Sequence, residues 1–172
     1  MKTSEGTGGG SVDAHYVLYI FPFSLYSIMA RFTATLGATY HSLPGPPTPR
    51  IELKLVNLHT DEEMEEEYLL QVNPKGQVPA MSSSALPATL TDSLDISYWL
   101  ANEHYPGLLP DTHRSEIEEL LGELHAIQAQ SLSVKKVREG YDVEFPNPKL
   151  EEHLARDDIS ERYREALKYK KE

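Results

Sequence analysis

Two serines stand at the heads of candidate helices, and both positions could do chemistry. Ser24 follows an apolar run and Pro22, just ahead of an apolar helical stripe; Ser93 follows Thr91-Asp92 at the start of another helix. A serine there sits beside unpaired backbone N–H groups and the positive end of the helix dipole, a setting that favours an anion. The same serine can instead act as an N-cap for its own helix, as most serines ahead of an apolar helix do. The chain has no cysteine, so it cannot attack through its own thiol, hold a cysteine-based metal site or run thiol–disulfide exchange. Any sulfur chemistry must therefore use a sulfur carried in by a ligand. The seven histidines show no His-x-x-x-His pair and no glutamate cluster at ligand spacing, so no metal is expected. No Gly-x-Ser-x-Gly elbow supports a hydrolase.

The 172 residues carry 16 lysines and arginines against 27 aspartates and glutamates, a formal net charge of −11. Such a surface repels phosphate backbones, and no basic patch offsets it, so nucleic acid is not an expected partner. With 40% hydrophobic and 25% charged residues, the composition is that of a soluble globular protein. The longest apolar stretch, near 16–23, is far too short to span a bilayer, and the glycine-rich opening lacks the apolar core of a signal peptide. No membrane association is expected, and a cytoplasmic location follows as the default.

The elements that must position these residues follow from periodicity. Residues 1–14 read as a flexible tail; their GTGGGS is not followed by Lys-Ser or Lys-Thr and is no phosphate loop. Residues 16–21 (YVLYIF) suit a strand buried on both faces, which Pro22 ends. Leu25, Ile28, Met29, Phe32 and Leu36 predict one apolar helical stripe, ending at Gly37 as the C′ residue. Pro44, Pro46, Pro47 and Pro49 make 38–50 an exposed loop. Residues 51–58 alternate as a second strand, and Thr60 with Glu63 reads as a capping box for a helix to about Val72. The acids of 61–67 would form its solvated face. A short strand lies within 72–81, another near 88–91, and a helix begins at Ser93 with Ile96, Trp99 and Leu100 facing the core.

The order βαβαββα, parallel strands first and a hairpin after, predicts a thioredoxin-like α/β domain over 15–105. Asp111 would cap a further helix carrying Ile117, Leu120, Leu121 and Leu124, and a closing helix runs over about 160–170. Residues 106–172 thus read as a partial all-α C-terminal region, well below a usual domain size.

Three stretches then carry a resemblance: Tyr19-Ile20-Phe21-Pro22-Phe23-Ser24, Asn73-Pro74-Lys75-Gly76-Gln77-Val78-Pro79-Ala80-Met81, and Thr91-Asp92-Ser93-Leu94-Asp95-Ile96. In this order and spacing they resemble the N-terminal domain of cytosolic glutathione S-transferases, over about residues 15–110. The stretches 105–110 and 159–170 look most like fungal members that accompany secondary-metabolite pathways. The resemblance implies a serine-type transferase that takes glutathione as co-substrate and an electrophilic small molecule as partner, without metal; it also admits a homodimer.

The resemblance also implies roles. Ser24 matches the Pro-x-Ser hydroxyl of serine-type members. A thiol with a pKa of about 8.5 is only slightly ionised at neutral pH, and a donated hydrogen bond plus a helix N-terminus both favour the thiolate. Ser27 is next in line on the same turn, with Tyr26 and Tyr19 as outsiders. Pro79 reads on its own as a strand-start proline; the resemblance implies a cis Val78–Pro79 bond, with Val78 pairing the ligand's cysteinyl segment like an added strand and Gln77 reaching the ligand backbone. Ser93 would take the γ-glutamyl carboxylate and Asp92 the glutamyl ammonium. Relatives often place a cation in the second helix; here Glu62, Glu63 and Met64 stand there, with His59 as a partial substitute. The alternative is a non-catalytic transferase-like binding module or a truncated remnant. Thioredoxins and glutaredoxins need cysteine and are excluded.

Overall fold

The YVLYIF run lies in β1 (His15–Ile20), where Tyr16, Leu18 and Ile20 are buried and Val17 and Tyr19 half-buried, in a computed structural model that describes residues 14–40, 47–127 and 147–171. The tail expected over 1–14, apart from its last residue, and much of the proline-rich loop lie outside the described residues. β1 is the middle of three strands in the order β2-β1-β3. β2 (Arg50–Leu55) runs parallel to it with Leu53 opposite Leu18, and β3 (Ala80–Ser82) runs antiparallel with Ala80 opposite Tyr19. As an edge strand β2 leaves Leu53 and Leu55 exposed, so only Ile51 of its alternating set packs on the core. The expected fourth strand is reduced to a single bridge between Leu90 and Met81, closed by hydrogen bonds of 2.7 and 2.9 Å. Pro87, three residues earlier, has no N–H with which to extend the ladder.

α1 (Leu25–Thr39) departs from the stripe expected of it. Its buried residues are Ser27, Ala30 and Gly37, while Leu25, Ile28 and Phe32 are 51%, 46% and 63% exposed. Small side chains let α1 lie close to α3 (Ser93–Glu103), and the hydroxyls of Thr33 and Ser97 meet at 3.0 Å between them. Gly37 is not a C′ residue: the helix continues past it, and a Cβ at that position would overlap the ring of Tyr105. α3 buries Ile96 and Leu100 as expected, with Trp99 half-buried against the same core of Tyr16, Leu18, Ala30, Met81 and Tyr105. Each large apolar side chain buried there contributes about 1.5–3 kcal/mol.

The chain forms two compact units, one of Met1–Val56 with Gln77–Leu109 and one of Asn57–Gly76 with Pro110–Glu172. The first carries the sheet, α1 and α3. The second holds α2 (Glu66–Gln71), α4 (Arg114–Ala126), α5 (Pro148–Leu154) and α6 (Glu161–Lys171), with Met64, Leu69, Leu150, Tyr163 and Leu167 in its core. The fold class is the expected one, a thioredoxin-like α/β domain followed by a helical region.

Two caps expected in the second unit are not formed. Thr60 Oγ1 donates to the Asn57 carbonyl at 3.2 Å, and Glu62 Oε2, not Glu63, accepts the Asn57 N–H at 2.7 Å. A 3₁₀ turn, Glu62–Met64, stands where the helix was expected to start, because Met64 is drawn into the core and its carbonyl accepts the Tyr163 hydroxyl at 2.6 Å. The acidic run is correspondingly only in part a solvated face: Glu65, Glu66 and Glu67 are exposed, but Asp61 pairs with Lys149 at 2.7 Å. Asp111 lies outside α4, which starts after His113 with no side-chain cap; Asp111 instead approaches Arg114 at 3.6 Å. No helix among the described residues is long and apolar enough to cross a membrane.

Candidate functional site

The sheet register gathers the three motifs at one end of the first unit. β1 ends at Ile20 and feeds Phe21-Pro22-Phe23-Ser24. Because Tyr19 lies opposite Ala80, the antiparallel register continued by one residue sets Pro79 level with Ile20. Because Met81 lies opposite Leu90, the same continuation sets Asp92 level with Pro79. The turn into α1, the Val78–Pro79 turn and the head of α3 thus follow the same end of the sheet.

Ser24 caps α1. Its backbone is extended (φ −78°, ψ 122°), its N–H donates to the Phe21 carbonyl at 3.0 Å, and its Oγ accepts the Ser27 N–H at 3.3 Å. Capping uses the oxygen as an acceptor and leaves the hydroxyl proton unspent, so the observed cap does not consume the donor that the thiol role would require. The residue is half-buried, and the first turn of α1 holds no acidic side chain to neutralise the helix dipole.

Ser27 turns out differently. Its side chain is fully buried, and its Oγ accepts the Phe21 N–H at 3.2 Å. It therefore holds the turn that presents Ser24 and is itself out of a ligand's reach, a role the sequence signals only as a polar residue on the buried side of an apolar helix. Tyr26 and Tyr19 are half-buried, with the Lys54 ammonium 5.4 Å from the Tyr19 ring centre.

The Val78–Pro79 peptide is cis, as the resemblance implied. Gln77 is exposed and Val78 and Pro79 are buried. At the head of α3, Asp92 is the N-cap: one carboxylate oxygen accepts the N–H groups of Leu94 at 2.7 Å and Asp95 at 3.3 Å. These two donors are thus already in use. The Ser93 side chain is 2% exposed, and its Oγ has no hydrogen-bond partner among the described residues. A buried hydroxyl with unused capacity at a helix head is uncommon in a folded chain. Among the described residues no group of three His, Cys, Asp or Glu is placed to hold a metal ion.

No family model and no curated protein matches the sequence. Solved structures do. A glutathione transferase homolog from Sulfitobacter, with bound glutathione, is 22% identical with a TM-score of 0.52, over 72% of this chain and 58% of that one. The fold is one that glutathione transferases have. A homolog from Drosophila mojavensis, also with bound glutathione, gives 24% identity and a TM-score of 0.50 over 62% of this chain and 44% of that one. An epsilon-class glutathione S-transferase from the housefly, Musca domestica, gives 25% and 0.50 over 67% and 49%. The chain spans about half the length of these transferases.

Proposed function

We propose that this chain binds glutathione at the end of the sheet where the three motifs meet and activates its thiol for attack on an electrophilic small molecule. The observation that supports the proposal is the register: the pairings of Tyr19 with Ala80 and of Met81 with Leu90 align, at one end of the sheet, the stretches that lead into Ser24, Val78–Pro79 and Asp92–Ser93. Two of the structures that share the fold hold glutathione.

In the proposed mechanism the Ser24 hydroxyl donates to the ligand sulfur while the head of α1 supplies partial positive charge. A hydrogen bond to a charged acceptor contributes about 1.5–3 kcal/mol, or about one to two pKa units of thiol acidification. Gln77 and the Val78 backbone hold the tripeptide in extended form beside β3, and Asp92 with the backbone N–H of Ser93 takes the γ-glutamyl end, the buried Ser93 hydroxyl making no contact. The thiolate then forms a carbon–sulfur bond with the electrophile by addition or by displacing its leaving group. Phe23, 82% exposed beside Ser24 with its ring edge-on to Phe21 at 5.6 Å, and the exposed Leu25 and Ile28 favour an apolar electrophile. On the sequence resemblance alone, the proposed setting is the cytoplasm and a fungal secondary-metabolite route.

The experiment is calorimetric titration of the chain with reduced glutathione. Saturable heat that Asp92→Ala weakens supports the proposal, and no heat at millimolar ligand rejects it.

A further inference from the structure

The second unit holds a recess of about 350 Å³ between the end of α2 and one side of α6, lined only by residues of that unit. Tyr163 and Leu167 turn from α6 into the core and are 4% and 0% exposed. One position ahead of each stand Arg162 and Ala166, and with Tyr169 they form the neighbouring strip of the helix at spacings of four and three. Ala166 is short and lies between two long side chains, which leaves room for the recess to open onto Leu69, Leu70 and Val72 at the end of α2.

The side chains that line the recess are apolar apart from Gln71, Arg162 and the Tyr169 hydroxyl, and none is a carboxylate. Arg162 differs from the other described arginines of this unit. Arg114 pairs with Glu118 at 3.4 Å, Arg156 with Asp158 at 2.9 Å, and Arg164 donates to the carbonyls of Leu154 and Arg156. The Arg162 guanidinium has no ion pair or hydrogen bond among the described residues, although the chain carries 27 acidic side chains. A guanidinium presents parallel N–H donors that match the two oxygens of a carboxylate, and an apolar hollow beside it accepts a hydrocarbon body. Arg162 and Tyr169 are about 10 Å apart along the helix axis, at 1.5 Å per residue, which suits a medium-length tail.

We propose that this recess binds a small organic carboxylate with an apolar tail. Arg162 holds the carboxylate, and the tail lies over Ala166 against Leu69, Leu70 and Val72. The charge selects this occupant over a cation or a neutral oil, because the only charged side chain in the lining is a guanidinium. The recess shares no residue with the proposed glutathione site, so the two readings stand or fall separately.

The test titrates the full chain by calorimetry with sodium octanoate, with 1-octanol, which has the tail without the charge, and with acetate, which has the charge without the tail. The proposal expects saturable octanoate binding with a dissociation constant of about 1 mM or tighter, and octanol and acetate weaker by about tenfold or more. Arg162→Met should weaken octanoate binding about tenfold, and Arg162→Lys should keep part of the affinity. Ala166→Leu, which fills the recess, should abolish binding. Lys168→Met, an exposed position of α6 outside the lining, should change nothing. The proposal is overturned by a lack of saturable octanoate binding up to about 10 mM, or by equal affinity in the unmodified chain and in Arg162→Met. Octanol binding as tightly as octanoate, or undiminished octanoate binding in a folded Ala166→Leu variant, overturns it as well. If Ala166→Leu does not fold, Ala166→Met takes its place under the same criterion.

Discussion

The Tyr16 hydroxyl lies 2.9 Å from Nε2 of His104, a buried contact between residues 88 positions apart. The Trp99 indole N–H, which can only donate, reaches the same hydroxyl oxygen at 3.1 Å. The arrangement that leaves the fewest buried groups unmet has the phenol donating to Nε2, so the histidine proton sits on Nδ1. The chain of donors runs Trp99 to Tyr16 to His104, at the start of β1, whereas Ser24 follows its far end.

This contact makes an acid-stability prediction. Burial lowers the His104 pKa below its ordinary 6.5, with the Glu103 charge and a hydrogen bond to the Pro47 backbone opposing. The folded state therefore binds this proton less readily than the unfolded one, so the contribution is fully present above about pH 6.5 and is lost as pH falls from there toward the folded-state pKa. Urea denaturation across pH 5–7.5 should show stability declining over that window. His104→Gln should flatten the decline; an equally steep curve in the variant would assign the acid sensitivity elsewhere.

Gly37 gives a packing prediction. Gly37→Ala sets a methyl against the Tyr105 ring and should destabilise the first unit by about 1–3 kcal/mol, despite alanine's better helix propensity. Tyr105→Leu in the same chain should recover part of that loss, as a double-mutant cycle by chemical denaturation would reveal. Additive losses would show that the ring is not what excludes the side chain.

Ser27 and Ser24 separate support from chemistry. Ser27→Ala leaves the buried-side Phe21 N–H without its acceptor and should lower stability by about 1–3 kcal/mol. Because that turn carries Ser24, the proposed conjugating activity should fall as well. Ser24→Gly removes the hydroxyl with only a few tenths of a kcal/mol of capping loss, so it should depress activity with stability almost unchanged. The paired denaturation and activity measurements distinguish the two serines.

Glu63 reports on the acidic run. Burial raises its carboxyl pKa above 4.5, with a hydrogen bond from its own backbone and the Lys170 charge opposing. A folded-state pKa raised in this way contributes stability below the unfolded value and loses it as pH rises through the folded one. Glu63→Gln should therefore stabilise the chain slightly at pH 7, by less than about 1 kcal/mol given its partial exposure, and give no gain near pH 3. A loss at pH 7 would mean that its attraction to Lys170 outweighs its desolvation.

The sequence carried the element order, because strand alternation and helix caps are local signals, and it carried the cis Val78–Pro79 bond through motif resemblance. It misassigned the faces of α1, since Leu25, Ile28 and Phe32 outweigh Ala30 and Gly37 in any count of apolar residues, yet close approach to α3 selects the small ones. It misplaced the start of α2 because Tyr163, 99 residues from Met64, claims the carbonyl that a continuous helix would have used. The hydrogen bond from Lys170 Nζ to the Gly76 carbonyl spans 94 residues and has no local signature at all. What pattern alone could not supply was long-range hydrogen bonding.

The most direct test of the central claim is the ionisation of glutathione's thiol when bound, followed by its thiolate absorbance as pH is raised, in the unmodified chain and in Ser24→Gly. The account predicts a bound thiol that ionises one to two pH units (about the free-energy equivalent of one charge-assisted hydrogen bond) below free glutathione, and a return most of the way to the free value in the variant. An identical ionisation curve in both proteins, with glutathione bound in each, would contradict it.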